Sequence, residues 1–523
     1  MFLLAVLGSV ALFLLNIPLL GASKTRVEQD ILRVQSLLTA GDLDGAEQTL
    51  DLALRAYPKE GGLYNLRGII DARRNEYAKS ESDFKAAIRL SPKLMGAYLN
   101  LGRLYQLRIE TDKTALTAAI DLYRTALRID PSTPSVRLQL AKLQLWQGDF
   151  RNSLGNLDRL SPAESQRGAS IAFRIGDLVG LHRVAEARGL QPNLKAAKDL
   201  VEQDVLDVAP VLVSHKCYEL TRELLKTIDT RSPLTPQGLR VLGEADAALG
   251  KANEAENLLK RAASADPNSP EPLLGLARLA WNRKEYKAAL GYVAHARDLD
   301  PDQASIHFFF GVICIQMDLP IEARKSLKRA LQLDGENAYY YYALGGVELQ
   351  SRLAGDAKTH FEKYVSLRRN DPRGHFALGA SEYAMADYDT ARLEMEKAAK
   401  SPETISGAEY FLGRIARIQG DLAAAVRHFS SAISREPDCV ECHAERGRAE
   451  IEMKEFTVAN RDLEAALRLN PDDLPANEYL LILYQKTKNA HIEEQRRRLA
   501  EANKKQTVKQ REMLRRLDIR PYF

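Results

Sequence analysis

From residue 236 onward, apolar and small residues recur in a fixed frame. Starting at Ala255 and stepping by 34 residues gives Ala289, Ala323, Ala357, Ala391, Ala425 and Ala459. Twelve residues upstream the same frame gives Gly243, Ala277, Gly311, Gly345, Gly379, Gly413 and Gly447. Seven residues downstream of the alanines stand Ala262, Ala296, Ala330, Tyr364, Ala398, Ala432 and Ala466. Large apolar side chains flank these columns. Leu242, Leu276, Phe310, Leu344, Leu378 and Leu412 precede the first, and Leu259, Phe361, Phe429 and Leu463 follow the alanines by four. Between them the apolar spacing is that of amphipathic helices, with polar residues on the remaining face. Three small-residue columns in phase over seven periods point to a repeated structural unit.

The frame has a direct physical meaning. Two helices pack closely only where side chains are small. Gly or Ala in the middle of a first helix and Ala near the start of a second let their backbones approach. A further Ala, two turns on, admits the next unit. Pro267, Pro301, Pro437 and Pro471 stop the second helix, because proline has no N–H and its ring clashes with the preceding turn. The segment Tyr410-Phe-Leu-Gly-Arg, Gly420-Asp-Leu-Ala-Ala-Ala425, Phe429, Ala432, Pro437 resembles the tetratricopeptide repeat family at each landmark. That resemblance implies an all-α fold, a right-handed superhelical solenoid of antiparallel helix pairs with about 11–13 repeats, and a non-catalytic role in protein binding.

The pattern divides the chain. Residues 27–162 read as four repeats, the third carrying extra residues in its turn near Ile109–Thr114. Residues 163–235 read as helical but break the frame, as irregular or degenerate repeats where the array bends. Residues 236–473 are seven regular repeats, and 474–523 a capping helix with a basic helix or tail. From His491 to the end there are ten Lys/Arg against five Asp/Glu. Such a helix suits a polar cap on the array, or a basic arm for acidic lipid or an acidic partner.

Residues 1–23 carry no charge, and Phe2–Leu15 is almost unbroken apolar. Gly21 and Ser23 are spaced like a signal-peptide cleavage site, although no basic residue precedes the apolar run. The segment reads as a signal peptide or N-terminal membrane anchor, which places the chain in the periplasm or on the bacterial inner membrane.

Composition adds little else. A formal charge of +4 over 523 residues gives no case for nucleic-acid binding. A mean hydropathy of −0.31 excludes a polytopic membrane protein. Four cysteines exclude a disulfide scaffold. No Walker loop, nucleophile elbow or HExxH pattern occurs, so an enzyme is not expected.

One motif carries chemistry. Cys439-Val-Glu-Cys442-His443 has the C-x-x-C-H spacing of covalent haem attachment. Yet His443 shares its place in the repeat with His307 and His375, which accounts for it as a packing residue. The two cysteines then read as a local disulfide or as buried thiols. No cofactor and no metal is expected, with covalent haem c as the alternative.

In repeats of this kind, positions 2, 5, 9 and 12 of the first helix face the concave groove. Those columns hold Arg278, Trp281, Phe308, Tyr339, Tyr342, Phe376, Tyr383, Tyr410, Arg414, Arg417 and Arg448. Aromatics beside arginines are the composition of interface hot spots. The expected function is therefore a scaffold that takes a protein or peptide segment into the groove, at the bacterial cell envelope. The alternatives are a haem-bearing electron-transfer protein using Cys439, Cys442 and His443, or a peripheral membrane or polymer-export assembly factor using the basic tail.

Overall fold

A computed structural model describes residues 25–109 and 111–505. The apolar segment 1–23, expected as a signal peptide or anchor, and the tail from residue 506, the greater part of the expected basic helix or tail, lie outside the described residues. Among the described residues the regular structure is helical, and no helix is long and apolar enough to cross a membrane. The helices follow one another as antiparallel pairs, in two compact units, residues 1–265 and 266–523.

The first unit pairs α1 (Arg26–Ala40) with α2 (Leu43–Ala56), α3 (Gly61–Arg73) with α4 (Tyr77–Leu90), and α5 (Met95–Gln106) with α6 (Ala115–Ile129). The longer α5–α6 connection takes up the extra residues noted around Ile109–Thr114. Then come α7 (Pro134–Gln147) with α8 (Phe150–Leu157), and the short α9 (Pro162–Ser165). Next, α10 (Gly168–Gly180) pairs with a second helix broken into α11 (Val184–Gly189) and α12 (Gln191–Ala196). Two regular pairs close the unit: α13 (Glu202–Ser214) with α14 (Tyr218–Asp229), and α15 (Pro236–Ala248) with α16 (Ala252–Ala265).

The second unit holds α17 (Glu271–Asn282) with α18 (Tyr286–Leu299), α19 (Ala304–Gln316) with α20 (Pro320–Leu333), and α21 (Ala338–Gln350) with α22 (Ala354–Leu367). It continues through α23 (Pro372–Ala384) with α24 (Tyr388–Ala398), α25 (Ile405–Ile418) with α26 (Leu422–Arg435), and α27 (Val440–Glu452) with α28 (Phe456–Leu469). Last, α29 (Leu474–Thr487) is covered by α30 (Ile492–Lys505). The side of α30 toward α29 carries Ile492, Gln495, Leu499 and Ala502, and Gln495 donates to the Asn477 carbonyl and side chain. Its other faces expose Glu493, Glu494 and Arg496–Arg498. That is the polar cap a repeat array needs.

Three devices recur with the repeat. First, each glycine of the first small column faces one large side chain of the partner helix. A Cβ on Gly345 would lie 2.8 Å from the Phe361 ring, on Gly413 2.7 Å from Phe429, and on Gly447 2.8 Å from Leu463. Second, the tight turn between paired helices passes through a left-handed residue at Gly250, Lys284, Asp318, Arg352, Ala386, Gly420, Lys454 and Lys488, with φ between 51° and 86°. Outside glycine this conformation is uncommon, and lysine, arginine and alanine adopt it here because packing of the pair fixes the turn. Third, the fourth residue of the first helix donates a side-chain hydrogen bond to the carbonyl six residues upstream. Tyr64, Tyr98, Tyr341 and Asn477 do so at 3.0 Å, His307 at 2.9 Å, His375 at 3.0 Å and His443 at 3.1 Å. Each satisfies a carbonyl in the loop that follows the preceding helix.

Where the sequence suggested a lost frame, at 163–235, the helical register continues. The left-handed turn residues Gly148, His182, Lys216 and Gly250 keep the 34-residue step. The small residues there serve an unusually close approach. A Cβ on Gly176 would come within 2.8 Å of Leu145, and one on Gly180 within 2.5 Å of Phe150. With α10 so thin, α7 reaches past it to α13. Trp146 donates through Nε1 to the Asp207 carbonyl at 3.1 Å, and Lys142 pairs with the buried Asp207 carboxylate at 2.5 Å.

Candidate functional site: the first-helix face of the second unit

The eleven residues read from the sequence as groove-lining separate into two groups. Phe308, Tyr342, Phe376 and Tyr410 are buried, with 4–7% exposure. Tyr342 packs on Phe361 at 5.8 Å and Tyr364 at 4.9 Å between ring centres. Phe308 packs on Tyr340 at 4.8 Å, Phe376 on Phe411 at 5.8 Å, and Tyr410 on Phe429 at 6.1 Å. These position-5 rings are the contacts between neighbouring helices. Their expected place on an open groove is corrected: the ring that would meet a partner already meets the next helix.

The second group is accessible in part. Arg278 is exposed. Trp281 is half-buried against Tyr286 at 5.2 Å, and Tyr339 lies half-buried under the Arg368 guanidinium at 4.8 Å. Tyr383, Arg414, Arg417 and Arg448 come together on consecutive first helices. Arg414 stacks over the rings of Tyr383 at 5.0 Å and Tyr410 at 5.7 Å. Arg417 faces Glu445 at 3.4 Å and Glu452 at 3.3 Å. Arg448 faces Glu452 at 3.5 Å, donates to the Tyr479 hydroxyl at 2.9 Å, and lies over that ring at 5.0 Å. The Tyr479 hydroxyl donates in turn to Glu445 at 3.3 Å. Burial pushes the Tyr383 and Tyr479 phenols up, Glu445 adding to the effect. Burial works against the Arg414 charge, but the tyrosines and Glu445 outweigh it, and its guanidinium is held above the ordinary value.

The result is a lattice of three arginines, two glutamates and three tyrosines laid across α23, α25, α27 and α29. Exposed Ile418 and Ile482 flank it, each about 40% accessible. Sequence reading missed Glu445, Glu452, Tyr479 and both isoleucines. The signal was present: Tyr479 stands one period after Glu445, and Ile482 one period after Arg448.

At the cysteine motif, Cys439 and Cys442 are joined in a disulfide, and both are buried. The His443 ring is committed through Nε2 to the Pro437 carbonyl, as His307 is to Pro301. Its Nδ1 lies 3.9 Å from Asp462. Among the described residues no group of three or more His, Cys, Asp or Glu side chains is placed to hold a metal.

Family models of the tetratricopeptide repeat match residues 31–94, 246–308 and 376–438. The chain carries tetratricopeptide repeats in these three segments. Repeats of this family support a protein-interaction scaffold. No curated protein sequence matches the chain. Among solved structures, it is similar to the APC/C hetero-tetramer Cut9–Hcn1, at 14% identity over 88% of this chain and 96% of that one, with a TM-score of 0.44. It is also similar to PilF of Pseudomonas aeruginosa, at 24% identity over 40% of this chain and 94% of that one, with a TM-score of 0.36. A third is MamA, at 24% identity over 32% of this chain and 90% of that one, with a TM-score of 0.30.

Proposed function

We propose that this protein is a non-catalytic scaffold that captures a segment of a partner protein on the first-helix face of the second unit, at the bacterial cell envelope. The carrying observation is the juxtaposition on α25, α27 and α29 of exposed Ile418 and Ile482 with the partly accessible Arg414, Arg448 and Tyr479. The arginines are already ordered by tyrosine and glutamate neighbours, so little side-chain entropy is lost when a partner docks. The isoleucines supply apolar area around them. The envelope location rests on the uncharged segment 1–23 and on nothing in the described residues.

The haem alternative draws no support from the placement of its residues, because the two sulfurs bond to each other and His443 serves the repeat. The test is capture from a native envelope fraction by full-length protein and two variants of equal fold. Ile418→Asp with Ile482→Asp should abolish capture, whereas Leu393→Asp, on the second helix α24, should leave it intact. Loss with Leu393→Asp alone would place binding on the other face.

A further inference from the structure

Most first helices that follow Asn, Asp or Thr in this frame are capped by a side-chain oxygen. In the second unit the Asn337 side chain accepts from the Tyr339 N–H at 3.1 Å, Asp371 from Arg373 at 3.0 Å, and Asp473 from Ala476 at 2.9 Å. One period before Asp473 the cap is a cysteine. Cys439 stands at the N-cap of α27 and its Sγ accepts from the Cys442 N–H at 3.2 Å, while the same sulfur is bonded to Cys442. The disulfide sulfur therefore stands where Asn337, Asp371 and Asp473 place a capping oxygen, whereas Pro270, Gln303 and Thr404 leave the same position without a side-chain cap. It sits at the start of the helix that carries Glu445, Arg448 and Glu452.

Two features set this pair apart from a permanent staple. It closes a loop with only three residues of sequence separation, so it constrains the unfolded chain little. Both sulfurs lie at the start of a helix, whose N-terminus stabilises the thiolate that must leave when the bond opens. The remaining cysteines are unlike it: Cys314 is buried in α19 and burial pushes its thiol up to about 11, and the Cys217 thiol is raised the same way. Cys442 has no accessible surface, but Cys439 borders the exposed stretch 434–438, which gives one route of approach.

We propose that Cys439 and Cys442 form a reversible dithiol–disulfide site, exchanged by an external dithiol, whose state sets the order of the first turn of α27. A thiolate of the dithiol attacks Sγ of Cys439 from the 434–438 side. The Cys439–Cys442 bond breaks, and Cys442 departs as a thiolate that takes a proton. The second sulfur of the dithiol then displaces Cys439, which also takes a proton. The external dithiol is oxidised to its disulfide, and two electrons and two protons pass to the protein. With the bond open both sulfurs are protonated, and the Cys439 thiol is a weaker acceptor for the Cys442 N–H than the side-chain oxygens at Asp371 and Asp473, so the cap loosens.

The experiment uses the full chain in native buffer with dithiothreitol, trapping by N-ethylmaleimide, peptide mass spectrometry and amide hydrogen exchange. Two added maleimides should map to Cys439 and Cys442. Exchange at the Cys442 and His443 amides should rise about fivefold, the equivalent of an N-cap worth ~1 kcal/mol, with α28 unchanged. Cys439→Asp with Cys442→Ala restores the cap found at Asp371 and Asp473, and should exchange slowly with or without dithiothreitol. Labelling that appears only in denaturant, or labelling with no change at these amides, would overturn the proposal. So would a variant that exchanges as fast as the reduced wild type.

Discussion

The glycine column yields the sharpest prediction about the fold. Gly413 lies in the middle of α25, and an ideal Cβ there would stand 2.7 Å from Cε1 and 2.8 Å from Cδ1 of Phe429. Carbon atoms in contact prefer ~3.5–4.0 Å, so Gly413→Ala requires a movement approaching 1 Å. Phe429 has no accessible surface and no direction in which to yield. Overpacking of this kind costs ~1–3 kcal/mol, against which alanine recovers ~1 kcal/mol of helix propensity. The net is destabilisation of up to about 2 kcal/mol. Gly291, in the exposed interior of α18, has nothing within 4 Å of its missing Cβ. There the same change should stabilise by ~0.5–1 kcal/mol. Because a repeat array need not unfold in one step, the assay is hydrogen exchange resolved by helix, supported by urea denaturation. Gly413→Ala should raise exchange most in α25 and α26. Phe429→Leu should rescue part of the loss, giving a measurable coupling in the double-mutant cycle. If Gly413→Ala proves as stabilising as Gly291→Ala, the close approach of the paired helices is wrong.

Three further outcomes follow from buried groups. The Glu450 carboxyl is pushed up to about 7, first by burial and then by Asp462. A raised acid costs stability as pH climbs from its unfolded value of ~4.3 through 7, so Glu450→Gln should stabilise at pH 8 and make no difference below pH ~4, read from thermal melts. Arg222 holds the buried Asp246 carboxylate at 2.6 Å, and Arg222→Met should destabilise by ~3–5 kcal/mol by stranding that charge, read from urea denaturation. Tyr342→Ala should cost ~3–5 kcal/mol of local stability as a buried ring is removed, read by hydrogen exchange in α21 and α22, and an effect on partner capture without that loss would return Tyr342 to the groove.

The repeat was legible because its key constraint, the absence of a side chain, is written directly in the sequence as glycine and alanine. The stretch 163–235 was not, because the small-residue columns lapse there, with Ile175, Leu194, Thr221 and Ile228 where the frame has glycine or alanine, and the second helix of its first pair is broken into α11 and α12. Gly176 and Gly180 respond to α7 and α8 rather than to the columns used elsewhere. Position 5 was misread for a different reason. Whether a ring such as Tyr342 faces open space or the next helix depends on how tightly successive pairs stack, and periodicity alone does not contain that distance. A ladder of buried acids went unseen although it keeps the frame. Asp246 meets Arg222, and Glu382 meets Lys358 at 3.2 Å, the base in each case standing on the preceding second helix. At Glu450 the equivalent residue is the apolar Val426, which leaves that carboxyl without the corresponding base.

The claim that a partner lies along the first-helix face of the second unit is tested most directly by site-specific photocrosslinking in the native envelope fraction. A photoreactive residue is placed in turn at Ile418 and Ile482 on that face, and at Ile321 and Leu393 on second helices, all four exposed. Crosslinks to one and the same protein from Ile418 and Ile482, with none from Ile321 or Leu393, are the predicted result. Crosslinks from Ile321 or Leu393 in the absence of any from Ile418 and Ile482 would contradict it.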